Sequence, residues 1–127
     1  MKREIKFRAK AINDDFFKGE WVYGYYTKEL WSGNLLDVIT DGANDIPIQI
    51  ETLGQFTGLC DKDGKEIYEG DILLVGEDDG CMIYNEVGIK DGCFGYIGEV
   101  DGELIPFCYF NVKEEIAGNI YDNPNLI

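Results

Sequence analysis

The sequence predicts a mainly β protein, a compact barrel-like arrangement of β-hairpins with little helix. Asp-Gly dipeptides occur five times, at 41–42, 63–64, 79–80, 91–92 and 101–102. Asp-Gly favours two-residue hairpin turns because both central residues need positive φ. Apolar runs flank most of these turns, and no amphipathic helix of ten residues appears. Sixteen glycines point the same way, since each would weaken a helix by about 1 kcal/mol. At 127 residues the chain is predicted to form a single domain, 1–127.

The first half of the chain contains four predicted strands. They cover residues 4–10, 19–31, 35–39 and 46–51. The first strand alternates apolar and charged residues, which is typical of a half-buried strand. The second is rich in aromatic and β-branched residues. Pro47 restricts the fourth to a sheet edge or to a strand start, because proline cannot donate a backbone hydrogen bond.

The second half continues as apolar runs that are separated by Asp-Gly turns. These runs are 66–75, 81–90, 93–100 and 103–112. Their regular spacing predicts further hairpins of a meander or a barrel. A short turn of helix is predicted near 123–127, with Pro124 at its first position.

The charge distribution is strongly asymmetric. The chain has 11 basic and 25 acidic residues, a net charge of −14, yet residues 1–10 carry five of the basic residues and one acidic residue. The rest therefore carries a net −18, which makes nucleic acid a poor direct partner because such binding depends on neutralising phosphates. The acidic charge either keeps the protein soluble or forms a surface that mimics a polyanion and occupies the DNA-binding site of another protein.

Membrane and secretion signals are missing from the sequence as given. No apolar run approaches the ~18 residues of a membrane span, and the N-terminal residues lack the apolar segment of a signal peptide. We therefore expect a cytoplasmic protein without a membrane partner. The four cysteines fit no zinc spacing, and we expect them to be reduced and mostly buried.

The sequence offers no catalytic residue, cofactor site or metal site. Without histidine, the common triads and the usual general base at neutral pH are excluded. The acidic stretch 57–73 fails as a calcium loop: counted from Asp61, Lys65 occupies a ligand position and Ile72 stands where glutamate is needed. Twenty-five acidic residues leave a carboxylate enzyme formally open, but position in the sequence cannot identify a pair.

An aromatic cluster on the second predicted strand is the candidate contact surface. It consists of Trp21, Tyr23, Tyr25, Tyr26 and Trp31. Alternate members of a strand face the core, so part of this cluster is expected to serve packing. No positive charge is expected around these residues, which counts against stacking on nucleic acid bases.

The stretch "ETLGQFTGLCDKDGKEIYEGDIL", residues 51–73, resembles the signature of the YopX-like family of phage and prophage proteins. The segments 5–10, 19–26 and 114–127 agree with the opening, second strand and ending of that family. The matching motif residues, which we interpret as structural, are Thr57, Gly58, Asp61, Gly64, Tyr68, Glu69, Gly70, Asp71, Gly118, Asn119, Tyr121 and Pro124. The resemblance implies an all-β fold and a protein of a mobile element in a bacterial host. It implies no activity, cofactor or catalytic residue.

Three functional hypotheses follow from these observations. The first is a non-enzymatic accessory protein that binds another protein through the aromatic cluster. The second is the polyanion mimic, which would inhibit a nucleic-acid-binding protein. The third is an enzyme that uses carboxylates with a divalent metal. A homo-oligomer is compatible with each, and the sequence does not identify the protein partner.

Overall fold

A computed structural model describes residues 4–97, 102–107 and 114–127. This part of the chain contains eleven β-strands and no α-helix, with short 3₁₀ helices at Ile50–Thr52 and Pro124–Leu126. The mainly β prediction is confirmed, and the strands form two antiparallel sheets and not a closed barrel. Contacts divide the chain into two compact units, Met1–Phe56 and Thr57–Ile127. The single domain stays a prediction.

The first unit is a sheet with the strand order β4-β3-β2-β1-β5. Its strands are β1 (Phe7–Lys10), β2 (Trp21–Trp31), β3 (Asn34–Thr40), β4 (Asp45–Pro47) and the beginning of β5 (Gly54–Cys60). Ala9, Ile39 and Ile48 form its buried core, with Phe7 and Val22 among the residues packed against them. Ala9 lies in β1, Ile39 lies in β3 and Ile48 follows β4, so the core joins these three parts of the unit.

Strand β2 changes its partner at Gly24. Trp21–Gly24 pair with β1, and Tyr25–Trp31 pair with β3. A side chain at Gly24 would place its Cβ 2.2 Å from the carbonyl oxygen of Thr40. Only glycine allows this close approach of two backbones. Beyond Gly24, β2 and β3 continue as a pair of strands, residues 25–40, which we call the β2–β3 arm; β4 joins this pair at its base, beside Val38–Thr40.

The second unit contains the remaining strands. They are the end of β5, β6 (Glu66–Tyr68), β7 (Asp71–Asp78), β8 (Cys81–Lys90), β9 (Cys93–Ile97), β10 (Leu104–Pro106) and β11 (Glu115–Asn119). Five of them form a sheet in the order β10-β9-β8-β7-β11. Its core cluster consists of Ile67, Leu73, Val87, Tyr96 and Phe107. The rings of the two aromatic members meet edge to face at 5.1 Å.

Two of the Asp-Gly turns are two-residue hairpin tips. Asp79-Gly80 joins β7 to β8 and Asp91-Gly92 joins β8 to β9, with positive φ at both residues of each pair. This is the type I′ geometry that matches the twist of the flanking strands. Ser32-Gly33 has the same geometry at the tip of the arm, and this hairpin turn was not predicted.

The other predicted elements are confirmed with changed bounds. The N-terminal strand begins at Phe7, and the run 46–51 ends as a strand at Pro47 and continues into a 3₁₀ helix. The run 66–75 divides into β6 and β7. Strand β11 was not predicted, and the ends of two predicted strands, 98–100 and 108–112, lie outside the described residues, as does the first residue of the Asp101-Gly102 turn.

We predict that Gly24→Ala destabilises the fold by about 2 kcal/mol or more, because the new methyl group meets a backbone oxygen that cannot move alone. Urea unfolding at neutral pH measures the change. Gly76→Ala is the matched control, since nothing lies within 4 Å of its added Cβ. Equal stability of the two variants would contradict the proposed role of Gly24.

Candidate functional site

The predicted aromatic surface is divided between the two faces of β2. Tyr26 belongs to the face that packs against the core of the first unit. Trp21, Tyr23 and Tyr25 lie on the opposite face, because side chains alternate along a strand. Tyr23 is 50% exposed and Tyr25 is 58% exposed. The candidate contact surface therefore centres on these two tyrosines.

Two cations of β1 lie against Trp21. The register places Lys10 opposite Trp21 and Arg8 opposite Tyr23. The Arg8 Cζ lies 4.7 Å from the centroid of the Trp21 ring, and the Lys10 Nζ lies 5.6 Å from it. Both are within the range of cation–π attraction. The prediction that positive charge is missing around the aromatic residues is therefore wrong. Alternation places Lys6, Arg8 and Lys10 on one side of the first predicted strand, but only the pairing of β1 with β2 brings two of these cations to Trp21.

Tyr26 holds a small polar network on the core side of the arm. Its hydroxyl donates to Asp37 Oδ1 at 2.5 Å, and Lys28 Nζ donates to the same oxygen at 3.0 Å. The hydrogen bonds from Tyr26 and Lys28 lower the pKa of Asp37, and the same contacts raise the pKa of Tyr26 and of Lys28. The network joins β2 to β3 and keeps Tyr26 protonated, so it holds the two strands of the arm together.

The tip of the arm exposes two leucines that were not among the predicted contact residues. Leu30 and Leu35 face each other across the ribbon and are 71% and 63% exposed. Trp31 is half-buried, and its Nε1 donates to Glu29 Oε1 at 3.2 Å. The Ser32-Gly33 dipeptide, between the aromatic strand and the run Leu35-Leu36, was the sequence signal for this hairpin.

The motif residues of 57–64 build the β5–β6 hairpin. The carboxylate of Asp61 is buried: Oδ1 accepts from the amides of Asp63 and Lys65, each at 2.9 Å, and Oδ2 accepts from the amide of Ile116 in β11 at 3.0 Å. Burial alone would raise the pKa of Asp61, but the three amides outweigh it and the pKa is lowered. Asp61 thus joins this turn to a strand 55 residues away.

Other motif residues of this hairpin act through the backbone. Thr57 Oγ1 donates to the carbonyl oxygen of Ile67 at 2.8 Å. Gly58 and Gly64 both have positive φ, at 86° and 83°. An added Cβ would have no atom within 4 Å at either position, so only the backbone conformation favours glycine there.

The bend at 68–71 shows the same use of polar groups. Asp71 is 1% exposed and accepts from the amide of Tyr68 at 2.7 Å. Gly70 donates its amide to Val87 at 2.9 Å and accepts from the amide of Ile120 at 2.9 Å. Burial, followed by the charge of Glu69, raises the pKa of Glu86 on β8.

The C-terminal motif residues form a compact turn. Asn119 Oδ1 accepts from the amides of Tyr121 and Asp122 at 3.0 and 2.9 Å. A Cβ on Gly118 would lie 2.3 Å from Asn123 Oδ1, so a side chain at this position would have to displace the Asn123 side chain. Pro124 begins the predicted helical turn, which is confirmed as a 3₁₀ helix. Residues of all three motif segments thus make hydrogen bonds or turn conformations within the fold, and the interpretation of the whole motif as structural stays a prediction.

Residues 6–127 match the family described as YopX protein. The chain belongs to the YopX protein family. The crystal structure of protein EF1440 from Enterococcus faecalis resembles this YopX-family chain with a TM-score of 0.56 and 24% sequence identity, over 98% of this chain and 99% of that chain. At this identity the likeness shows the fold alone. No curated protein matches the chain.

Other chemical features of this YopX-family chain are limited. Within 4–97, 102–107 and 114–127, no three His, Cys, Asp or Glu side chains come together as a potential metal site. No helix in these ranges is long and apolar enough to cross a membrane. A mostly apolar cleft of about 320 Å³ lies in the second unit, with Leu59, Phe94 and Pro106 among its lining residues.

The cysteines differ from expectation. Cys60, Cys81 and Cys93 are free and exposed, and Cys108 lies outside the described residues. The prediction of mostly buried thiols is wrong for these three. Cys81 and Cys93 begin strands directly after hairpin turns, and such positions place the side chain at the rim of a sheet.

We predict that Asp61→Ala lowers the free energy of unfolding by ~2–4 kcal/mol at pH 7, because three amides lose their acceptor. The folded-state pKa is lowered, so the contribution is complete above the unfolded value of about 3.9 and is lost as the pH falls through the folded pKa. Urea unfolding between pH 7 and pH 2 measures it. The exposed neighbour Asp63→Ala is the control, and an equal loss there would contradict the role of Asp61.

Glu86→Gln is predicted to raise the melting temperature at pH 7. The folded-state pKa is raised, so ionised Glu86 opposes folding at neutral pH, and this cost disappears below the unfolded value of about 4.3. Thermal unfolding at pH 7 and below pH 4 should show a gain at the higher pH only. Glu77→Gln, at an exposed position with the same charge change, should have little effect. A gain that persists at low pH would refute the electrostatic cause.

Proposed function

We propose that this chain is an accessory protein encoded by a phage or prophage, and that it acts by binding another protein and not by catalysis. The observation that carries the proposal is the exposure of Tyr23 and Tyr25, side by side on one face of a central strand. The phage or prophage origin rests on the resemblance of the YopX motifs.

Exposed tyrosines on a paired strand suit a protein contact. Each ring offers a large amphipathic area and loses little conformational entropy on binding. Tyrosine is also enriched in the centres of protein interfaces. The strand is already ordered by its pairing with β1 and β3, so binding needs no further ordering of the backbone.

The uses of the acidic side chains favour a protein contact over the two alternatives. Asp14 and Asp41 accept hydrogen bonds from amides of their own turns, as Asp61 and Asp71 do. Other carboxylates pair with lysines, as in Lys62–Glu115 at 3.8 Å. These particular carboxylates already accept hydrogen bonds from turns or pair with lysines, which favours neither a phosphate-like stripe nor a divalent-metal centre built from them.

A capture experiment tests the proposal. The tagged chain is incubated with nuclease-treated bacterial lysate, and a captured protein is then purified and titrated against variants. We predict that Tyr25→Ala weakens binding of that protein by about tenfold, the range of an interface tyrosine that costs more than 1 kcal/mol. Phe16→Ala, which removes an aromatic ring that is 82% exposed elsewhere, should bind like the unchanged chain.

Two results would count against this function. Capture of nothing by the unchanged chain, or equal binding by Tyr25→Ala, would reject the tyrosine surface. A captured nucleic-acid-binding protein that is released by duplex DNA would support the polyanion mimic instead.

A further inference from the structure

The β2–β3 arm extends beyond the strands that flank it. On one edge, β1 pairs only as far as Gly24. On the other edge, β4 pairs with Val38–Thr40, and Asp37 accepts one further bond from the amide of Ile48 at 3.0 Å. Among the described residues the arm tip is therefore a ribbon of two strands. Two strands alone are marginally stable in water, which makes a further strand on this edge favourable.

Among the residues that the structure describes, the usual protection against strand pairing is missing from the outer edge of β3 at Asn34–Leu36. Its residues Asn34, Leu35 and Leu36 include no charge, no proline and no bulge. Exposed edges are normally protected by such features because their free backbone groups attract another strand. Leu35 adds an exposed apolar side chain beside Leu30, so pairing here would also bury apolar surface.

The backbone direction at this edge follows from the observed bonds. The Asp37 carbonyl points toward β4, since it accepts from Ile48. Backbone groups alternate in direction along an antiparallel strand, so Leu35, two residues earlier, points its N–H and C=O toward the same edge. Leu35 can therefore exchange two hydrogen bonds with a residue directly opposite.

The charge of the arm indicates what can approach it. Residues 25–40 contain one basic and two acidic residues, a net −1, which leaves −13 for the rest of the chain. Lys28 is bonded to Asp37, and Glu29 accepts from Trp31. The rest includes the basic residues 1–10, with a local +4, so residues 11–24 and 41–127 together carry −17. Two arms of net −1 approach each other with little repulsion between their own charges. The arm is thus a surface on which two copies can meet.

We propose that a second copy of this chain pairs with the β3 edge, antiparallel, with Leu35 opposite Leu35 of the other copy. The product is a four-stranded ribbon in the order β2-β3-β3-β2. A two-fold axis that passes midway between the two Leu35 residues makes the contact self-complementary, as isologous dimers require. The same axis places Asn34 opposite Leu36 and brings Leu30 and Leu35 of both copies onto one face. This interface is separate from the tyrosine surface and does not rest on its function.

A charge-exchange experiment tests the pairing directly. Sedimentation of the unchanged chain should show a dimer that strengthens with salt, because salt screens the repulsion between two acidic copies. Leu35→Lys and Leu35→Glu should each raise the dimer dissociation constant by more than about tenfold, since each places like charges opposite one another. An equimolar mixture of the two variants should restore a dimer, because lysine then faces glutamate.

The controls separate this edge from other contacts. Phe16→Lys makes the same charge change at an exposed apolar residue outside the arm, and it should stay dimeric. Tyr25→Ala should also stay dimeric, which separates the dimer from the proposed partner surface. The proposal is overturned by a monomeric unchanged chain, by dimers that persist in both Leu35 variants, or by a mixture that remains monomeric.

Discussion

The change of partner along β2 is the constraint on which the first unit depends. Up to Gly24 the strand pairs with β1, and after Gly24 it pairs with β3 and belongs to the arm. The close approach of Gly24 to Thr40 excludes any side chain at this point. The backbone arrangement therefore exposes the arm, and its exposed apolar side chains do not indicate a poorly packed core.

Buried carboxylates play the corresponding part in the second unit. Asp61 and Asp71 lie where an apolar residue would be expected, yet each accepts backbone amides that would otherwise lack a partner. Such bonds specify one arrangement of a turn more sharply than apolar contacts do, because they depend on direction. The acidic motif of this YopX-family chain therefore resembles a metal or catalytic site in its sequence, although Asp61 and Asp71 accept hydrogen bonds from backbone amides.

The sequence predicted local features well and contacts between distant segments poorly. The turns at Asp79-Gly80 and Asp91-Gly92 follow from φ preferences of single residues, and alternation predicted that part of the aromatic cluster serves packing, without identifying Tyr26 as the member that does. The bond from Ile116 to Asp61 and the position of Arg8 beside Trp21 depend on which strands become neighbours, and no local pattern encodes that. Strand β11 was missed for this reason, since its short run Glu115–Asn119 contains a register shift and a glycine.

The proposed dimer and the tyrosine surface are linked by symmetry. A two-fold axis perpendicular to the ribbon keeps the same face of both copies on the same side, so the tyrosines of the two β2 strands point in one direction. If each copy makes one weak contact, the dimer binds a partner with repeated sites far more tightly than a single copy does. A partner with a single site is bound with no additional affinity. The net charge of such a dimer is twice −14. Its range of partners is then restricted twice, by the spacing of their sites and by their tolerance of a strongly acidic neighbour.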